Sequence, residues 1–253
     1  MKALVLFPLL LGLAGWHGSV ERCGEDSGAA PPRRERPGQR RAPVPVRALP
    51  AGEICVTSGG IKQASRGRMS VDEPKMRSVA PGSSGDVGEL RFQYRGATEK
   101  VAPLASGQLR RQVGLKLRAQ DGCNLVYAMW RIEPEPGIVV QIKHNQGQRV
   151  HAECGTRGYR TVSPRRRGQV PVLQPGSEHK LRAEITGQDL TVWADGVIVW
   201  EGDLGPEAAA FTGPLGMRSD NVALDVELLA DPGKQTRSLA KVPGRCSSVA
   251  DSD

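Results

Sequence analysis

Aromatic residues are scarce in this chain of 253 residues, where phenylalanine, tryptophan and tyrosine together make up 4%. Proteins that bind single-stranded nucleic acids stack bases on aromatic side chains set among basic ones. The formal net charge of +8 is therefore not accompanied by the stacking platforms that such a face uses. The sequence does not predict a specific nucleic-acid partner.

Metal-binding patterns are also missing. The chain has only 4 histidines and no His-Glu-x-x-His segment. Its cysteines are irregularly spaced and include no Cys-x-x-Cys pair, the usual spacing of zinc ligands. The 5 cysteines are Cys23, Cys55, Cys123, Cys154 and Cys246. These residues predict neither a metal site nor a cofactor.

No hydrophobic run is long enough to cross a bilayer, which takes about 20 residues. The apolar run 3–14 follows Lys2 and ends at small residues. This pattern is typical of a secretory signal peptide over residues 1–15, with a buried N-terminal strand as the alternative. We expect a secreted, periplasmic or cell-surface protein without a transmembrane segment. A lipid anchor at Cys23 is not expected, because the preceding residue, Arg22, is large and charged.

Residues 16–50 have the composition of a linker, rich in proline, arginine, glycine and alanine. Such a segment buries too little apolar surface to offset the entropy of ordering it, about 1–2 kcal/mol per residue. We expect a disordered, semi-rigid spacer. We expect a solvated tether, with contact between its arginines and acidic surfaces as the alternative. Residues 231–253 resemble a polar tail, which leaves 51–230 as the folded domain.

The folded region shows no helical periodicity and alternates between apolar and polar residues in short runs bounded by turn residues. This pattern predicts an all-β fold, an antiparallel β-sandwich. The predicted strands before residue 178 are 54–57, 87–94, 113–118, 124–132, 138–144 and 149–154.

The C-terminal part carries the most specific pattern. Residues 178–203 read EHKLRAEITGQDLTVWADGVIVWEGD, and residues 213–230 read GPLGMRSDNVALDVELLA. This hairpin, its Asp-Gly turn and the closing strand resemble the C-terminal hairpin of concanavalin A-like jelly rolls, the laminin-G and glucanase group. The resemblance implies a jelly-roll fold and, by analogy of fold, carbohydrate binding.

Residues 124–154 form a predicted three-strand meander with two distinct faces. Alternation places Val126, Ala128 and Trp130 in the core and polar side chains on the other face. We predict that this second face binds the ligand, with an ordinary solvated sheet face as the alternative. The candidate binding residues are Tyr127, Arg131, Gln141, Lys143, His151 and Glu153.

A calcium-assisted lectin site is a further alternative. Such a site needs clustered oxygen ligands in loops, and Ser219-Asp220-Asn221 is the corner that offers them. Asparagine and aspartate also simply make turns. Calcium is therefore kept as an alternative, and no cofactor is assigned.

Hydrolysis is disfavoured. A retaining glycosidase needs two carboxylates about 5–5.5 Å apart, which jelly-roll glucanases place on one strand face. Asp225 and Glu227 share a face, but the strand provides no third acid.

A lyase pattern is partly present. Gln141-Ile142-Lys143-His144 resembles the Gln-Ile-His strand of jelly-roll alginate lyases, although Lys143 interrupts it. Arg91 and Arg95 share a face, but Gln93 stands where those enzymes have an acid. No catalytic residue is assigned.

The sequence therefore predicts an exported, non-catalytic binding module for a glycan or cell-envelope polysaccharide. The alternatives are a polysaccharide-degrading enzyme, lyase before hydrolase, and a structural envelope protein.

Cysteines in an exported chain favour disulfides. A regular meander would place Cys123 at its start and Cys154 at its end. Because strands rise by roughly 3.3 Å per residue, this separation would exceed the limit of about 7 Å between bridged Cα atoms. We therefore predict no Cys123–Cys154 bridge, and we expect Cys55 to pair with Cys246 because domain termini often lie close together.

Overall fold

The computed structural model describes residues 42–231, apart from the side chain of Arg66. The predicted signal peptide, Cys23, all but the last residues of the predicted linker and the tail after residue 231 lie outside the described residues and stay predictions. No helix within residues 42–231 is both long enough and apolar enough to cross a membrane.

Within this range the chain forms sixteen strands, two short α-helices and two 3-10 helices, the last two at Ala51–Glu53 and Ser65–Gly67. In chain order the strands are β1 (Arg47–Ala48), β2 (Cys55–Ser58), β3 (Lys62–Gln63), β4 (Met69–Val71), β5 (Lys75–Ala80), β6 (Val87–Ala97), β7 (Arg111–Leu117), β8 (Leu125–Glu133), β9 (Gly137–Lys143), β10 (Tyr159–Thr161), β11 (Arg166–Arg167), β12 (Glu178–Thr186), β13 (Asp189–Ala194), β14 (Val197–Asp203), β15 (Leu215–Asp220) and β16 (Val222–Ala230). The α-helices are α1 (His151–Cys154) and α2 (Gly205–Ala209).

The described strands pair into two antiparallel sheets. The nine-stranded sheet has the order β11-β14-β13-β12-β6-β16-β4-β3, with β1 also paired to β16. The seven-stranded sheet has the order β10-β9-β8-β7-β15-β5-β2. This architecture confirms the predicted antiparallel β-sandwich of jelly-roll type. The described sandwich also includes residues before position 51, because β1 pairs with β16 and Leu49 is buried.

The core lies between the inner faces of the two sheets. The predicted alternation of β8 is confirmed, since Val126, Ala128 and Trp130 belong to this core. The ring of Trp130 meets that of Phe92 in the opposite sheet edge-on, with 5.9 Å between ring centres. Each fully buried side chain of this size contributes about 1.5–3 kcal/mol.

The outer face of β8 is also buried. Leu125, Tyr127 and Met129 form a second cluster with Val79 and Ala119. The face predicted to bind a ligand is therefore a covered surface rather than a row of solvated side chains.

The predicted third strand of the meander, residues 149–154, is wrong. After β9 the chain leaves the sheet and forms a turn and α1. It rejoins the sheet only at β10, where Tyr159 lies opposite Lys143. Val150, which the alternation of a third strand would place in the core with Val126, is 43% exposed. Gly155 and Gly158, both with positive φ, allow the chain to fold back sharply after α1.

This excursion brings Cys154 next to Cys123, and a disulfide joins them with 6.0 Å between their Cα atoms. The prediction that excluded this bridge is wrong, because it assumed a straight third strand. Cys55 is also disulfide-bonded. Its predicted partner, Cys246, lies outside the described residues, so that pairing stays a prediction.

Candidate functional site

A cavity of about 290 Å³ lies on the outer face of the seven-stranded sheet. Side chains from β5, β7, β8, β9 and β15 line it together with the loop before β7 and the excursion between β9 and β10. Its basic lining residues are Lys75, Arg77, Arg110 and Arg218. Its aromatic, amide and imidazole side chains are Tyr127, Tyr159, Gln112, Gln141 and His151.

Strand pairing places the sheet residues of this lining side by side. Gly114 lies between Met129 of β8 and Arg218 of β15, and Arg77 of β5 follows Arg218. A Cβ atom at Gly114 would collide with the carbonyl oxygen of Ala128 and the sulfur of Met129. A glycine is therefore required for this close approach in the middle of the sheet.

Asp220 is fully buried beside the cavity lining. Its carboxylate accepts hydrogen bonds from Nη2 of Arg77 (2.6 Å), Nε2 of Gln112 (2.7 Å) and Nε of Arg218 (3.0 Å). Burial alone raises the pKa of Asp220, but the charges of Arg218 and Arg77 and the hydrogen bonds from Gln112 and Arg218 outweigh it and lower the pKa below its usual value. Asp220 is therefore ionised at neutral pH and fixes two guanidinium groups at the cavity.

Arg110 adds positive charge at the end of the loop before β7. It is half-buried, and its guanidinium donates a hydrogen bond to Oε1 of Gln108. Burial lowers the pKa of Arg110, and the neighbouring charges of Arg131 and Arg218 lower it further. Arg110 is therefore a partly buried cation that also feels the charges of Arg131 and Arg218.

Asn221 holds the loop of residues 98–110 against the sheet. Its Oδ1 accepts a hydrogen bond from the backbone N–H of Ala102 (2.8 Å), and its Nδ2 donates to the carbonyl oxygens of Ala102 and Arg110 (2.9 Å each). The backbone φ of Asn221 is 55°, a left-handed conformation that asparagine adopts more readily than most residues. One buried side chain thus positions the cavity wall that carries Arg110.

The opposite wall belongs to the excursion between β9 and β10. Asn145 donates through Nδ2 to the carbonyl oxygen of Cys123 at 3.2 Å, next to the disulfide. Nζ of Lys143 lies 3.1 Å from Nδ1 of His151. The Cys123–Cys154 disulfide, the amide of Asn145 and the ammonium group of Lys143 together fix the positions of His151 and Tyr159.

Tyr127 gives the cavity its aromatic surface. The guanidinium carbon of Arg218 lies 5.1 Å from the centre of its ring, within the range of a cation–π contact. The ring of Tyr159 stacks on it with 6.2 Å between centres and 22° between planes. Nζ of Lys143 lies 5.2 Å from the centre of the Tyr159 ring. Each of the two stacked tyrosines is therefore held by a cation, Tyr127 by Arg218 and Tyr159 by Lys143.

The structure brings together three of the six predicted binding residues. Tyr127, Gln141 and His151 all line the cavity. Gln141 also donates from Nε2 to Oγ1 of Thr161 at 3.3 Å. Gln141 and His151 are half-buried, so direct contact with a ligand is open to them, whereas Tyr127 is 1% exposed and lies beneath the cavity surface.

The other three predicted residues have different positions. Lys143 is fully buried and donates to the carbonyl oxygen of Gly122 at 2.7 Å. Arg131 lies in the same face but reaches Glu135, at 3.9 Å. Glu153 is exposed, and its carboxylate accepts from the backbone N–H of Arg149 at 3.1 Å, which stabilises the turn before α1. The strand periodicity used to place Glu153 does not apply, because the segment is helical.

The sequence reasoning missed the basic lining of Lys75, Arg77, Arg110 and Arg218. These residues lie in two strands, β5 and β15, and in the loop before β7, all outside the meander. One signal for this lining was local in the sequence. Arg218 and Asp220 are two residues apart on one strand, so their side chains lie on the same face of the sheet.

The corner proposed for calcium has a different role. Ser219 and Asp220 end β15, and the Asp220 carboxylate is bound by cationic and amide groups rather than open to a metal. Over residues 42–231, no group of three or more histidine, cysteine, aspartate or glutamate residues has the arrangement to hold a metal ion.

The partial lyase pattern is not assembled in space. Arg91 and Arg95 lie in β6 of the nine-stranded sheet, where Arg91 contacts Glu89 at 2.7 Å. Gln141 lies in β9 of the other sheet. The arginines that resemble the lyase strand therefore do not reach the cavity.

A serine–histidine–aspartate chain lies in the nine-stranded sheet. Nε2 of His179 is 2.8 Å from Oγ of Ser177, and Nδ1 is 2.8 Å from Oδ2 of Asp195. The Ser177 hydroxyl also accepts from the backbone N–H of Gln174 at 3.1 Å and lies 2.5 Å from the Gln174 carbonyl oxygen. It closes a turn and does not line the depression beside His179. We interpret the chain as a brace for the end of β12.

Comparisons with solved structures give matches of the jelly-roll group that the C-terminal hairpin resembles. The carbohydrate-binding module CBM66 from Bacillus subtilis aligns over 69% of this chain and 91% of its own, with 10% identity and a TM-score of 0.49. A tetrameric galectin from the ball sponge Cinachyrella sp. aligns over 62% and 99%, with 16% identity and a TM-score of 0.41. SCLam, a non-specific endo-beta-1,3(4)-glucanase of family GH16, aligns over 66% and 71%, with 11% identity and a TM-score of 0.39.

At this level of similarity the matches describe a shared outline of strands and say nothing about a ligand. No protein-family model matches the chain, and no curated protein matches it in sequence. The cavity is therefore the feature of the molecule that bears on its function.

Proposed function

We propose that this protein is an exported, non-catalytic glycan-binding module whose ligand occupies the cavity on the seven-stranded sheet. The observation that carries the proposal is the combination of two stacked tyrosines with amide and guanidinium side chains around one cavity of about 290 Å³. Sugar rings present apolar faces and a rim of hydroxyl groups, and ligand sites of this kind combine aromatic side chains with a few polar groups.

Gln112 supports the proposal. This residue is 2% exposed and lines the cavity, and its Oε1 has no hydrogen-bond partner among the described residues. Buried polar atoms are ordinarily hydrogen-bonded. A sugar hydroxyl is a donor of the right kind for this atom.

The lining favours binding over hydrolysis. None of the described lining residues is an aspartate or a glutamate, whereas retaining and inverting glycosidases use two carboxyl groups at the scissile bond. Export by residues 1–15 and contact of the basic segment 16–50 with acidic surfaces are part of the proposal and concern residues outside the described range.

A glycan array probed with the full mature protein, with and without calcium, tests the proposal. Gln141→Ala removes a polar side chain from the cavity, and we expect it to weaken binding of the array hit by about 1–3 kcal/mol. Gln188→Ala is the matched control, since Gln188 is an exposed glutamine on a turn of the nine-stranded sheet. Failure to bind any glycan, or equal effects of the two variants, would contradict the proposal.

A lyase is the second candidate, favoured by the meeting of Tyr127, His151 and Gln141 in one cavity. These residues are acid–base and hydrogen-bonding groups of the type that proton transfer requires. Incubation with acidic polysaccharides, followed by unsaturated-uronate absorbance, decides between the two. Absorbance that rises with the protein and is lost in His151→Ala would replace the binding-module proposal with a lyase.

A further inference from the structure

The charge around the cavity is strongly one-sided. Lys75, Arg77, Arg110 and Arg218 line it. Arg77 and Arg218 both contact the buried carboxylate of Asp220. Over the described residues, neither Lys75 nor Arg110 takes part in an ion pair.

The arginines of the other sheet behave differently. On the nine-stranded sheet, Arg95 contacts Asp72 at 2.5 Å, Arg68 contacts Glu178 at 2.9 Å, and Arg165 contacts Asp189 at 2.7 Å. In a protein of net charge +8, these three arginines are each paired with a carboxylate, whereas the described residues that line the cavity include four basic side chains and neither an aspartate nor a glutamate. The excess of basic residues alone does not account for this difference.

We infer that the cavity binds an acidic sugar, with Arg110 and Lys75 recognising a carboxylate that the sugar carries. The inference rests on the proposed function and names its ligand class. A guanidinium presents two parallel N–H groups that match the two oxygens of a carboxylate, and such charge-assisted pairs are stronger than neutral hydrogen bonds. Partial burial of Arg110 strengthens the attraction, because water screens it less.

Positions next to the basic groups would hold the body of the sugar. Tyr127 lies beside Arg218, and Gln112 lies beside Asp220 across the β7–β15 pairing. Gln141 and Thr156 also line the cavity, so an acidic sugar placed with its carboxylate near Arg110 has an amide and a hydroxyl group in the same cavity for its own hydroxyl groups.

The test compares uronate oligosaccharides with the same oligosaccharides after their carboxylates have been reduced to hydroxymethyl groups. Affinities of the full mature protein are measured by isothermal titration calorimetry for oligogalacturonate, oligoalginate and hyaluronan fragments. We expect at least one uronate to bind and its reduced form to bind at least about tenfold more weakly, since hydrogen bonds to charged groups are the stronger ones. Arg110→Gln and Lys75→Gln should each weaken uronate binding by about tenfold, with partial recovery in Arg110→Lys.

Arg167→Gln is the matched control. Arg167 is exposed on edge strand β11 of the nine-stranded sheet, so the variant removes the same charge away from the cavity. Its affinity should stay within about twofold of the parent, as expected for a remote surface change. An equal loss in Arg167→Gln and Arg110→Gln would overturn the inference in favour of general attraction by net charge.

Two further outcomes separate the inference from the proposed function. If neutral or carboxyl-reduced glycans bind as tightly as uronates, the glycan-binding proposal stands and the acidic-sugar inference is wrong. If dextran sulfate binds as tightly as the uronates with the same loss in Arg110→Gln, the site recognises charge rather than a carboxylate, and the inference is again wrong. If no glycan binds, both fail.

Discussion

Arg77 and Asp220 form an ion pair with 2.6 Å between Nη2 and Oδ1, and both side chains are almost completely withdrawn from solvent. Nη1 of Arg77 also donates to the carbonyl oxygens of Met76 (2.9 Å) and Ser219 (2.7 Å). A buried pair stabilises a fold only when further hydrogen bonds satisfy its remaining polar atoms. Here the pair joins β5 to β15 next to the candidate site.

We predict that Asp220→Asn destabilises the protein strongly. The asparagine has the same shape but leaves two guanidinium groups without their carboxylate, and loss of one partner of a buried pair costs about 3–5 kcal/mol. Urea unfolding followed by tryptophan fluorescence measures this loss of unfolding free energy. Asp225→Asn is the control: Asp225 lies 3.2 Å from Arg95 in a part-exposed pair, so less than about 1 kcal/mol is expected. Similar losses of unfolding free energy in Asp220→Asn and Asp225→Asn would contradict the stabilising role assigned to the buried Arg77–Asp220 pair.

Stability should also fall in acid because of Asp220. Its pKa is lowered in the folded protein, so the unfolded state takes up the proton first as the pH falls. The stabilisation is fully present above the unfolded pKa of about 3.9 and is lost as the pH falls through the lower folded pKa. Urea midpoints measured from about pH 6 down to about pH 3 should therefore decline more steeply for the parent than for Asp220→Asn. Parallel curves would show that Asp220 does not contribute.

Much of the fold was predictable because strand periodicity is local. The common face of Val126, Ala128 and Trp130 is evident within five residues of sequence. The turn of the β13–β14 hairpin is evident from two residues, Asp195-Gly196. The helix His151–Cys154 was not predictable in this way. Four residues are too few for a period, and a turn held by Glu153 and a disulfide overrides the apparent alternation.

The candidate site was only partly predictable for the same reason. Tyr127 and Gln141 lie directly opposite each other in neighbouring strands of one meander, so alternation finds both. Arg77, Arg110 and Arg218 reach the cavity through the order of strands in the sheet, which places β15 between β5 and β7. That order depends on long-range pairing, and no pattern within one segment encodes it.

The disulfide Cys123–Cys154 should stabilise the wall that carries His151. The two residues are separated by 31 positions, and closing a loop of this size contributes about 2–4 kcal/mol. We expect Cys123→Ala/Cys154→Ala to lower the unfolding free energy by this amount and to weaken binding of the array ligand. Unchanged binding in a folded double variant would show that the wall holds its position without the bridge.

The side chain of Asn221 makes three hydrogen bonds to the loop of residues 98–110. Asn221→Gly keeps the left-handed backbone accessible and removes only the side chain, so any effect comes from the lost hydrogen bonds rather than from strain. We expect the Ala102 amide to exchange with deuterium faster in the variant, and ligand affinity to fall because Arg110 is no longer held in place. Asn221→Ala should be less stable than Asn221→Gly, since alanine tolerates a positive φ poorly. Exchange at Ala102 that matches the parent would mean that the loop is fixed by its other contacts, and the assigned role of Asn221 would be wrong.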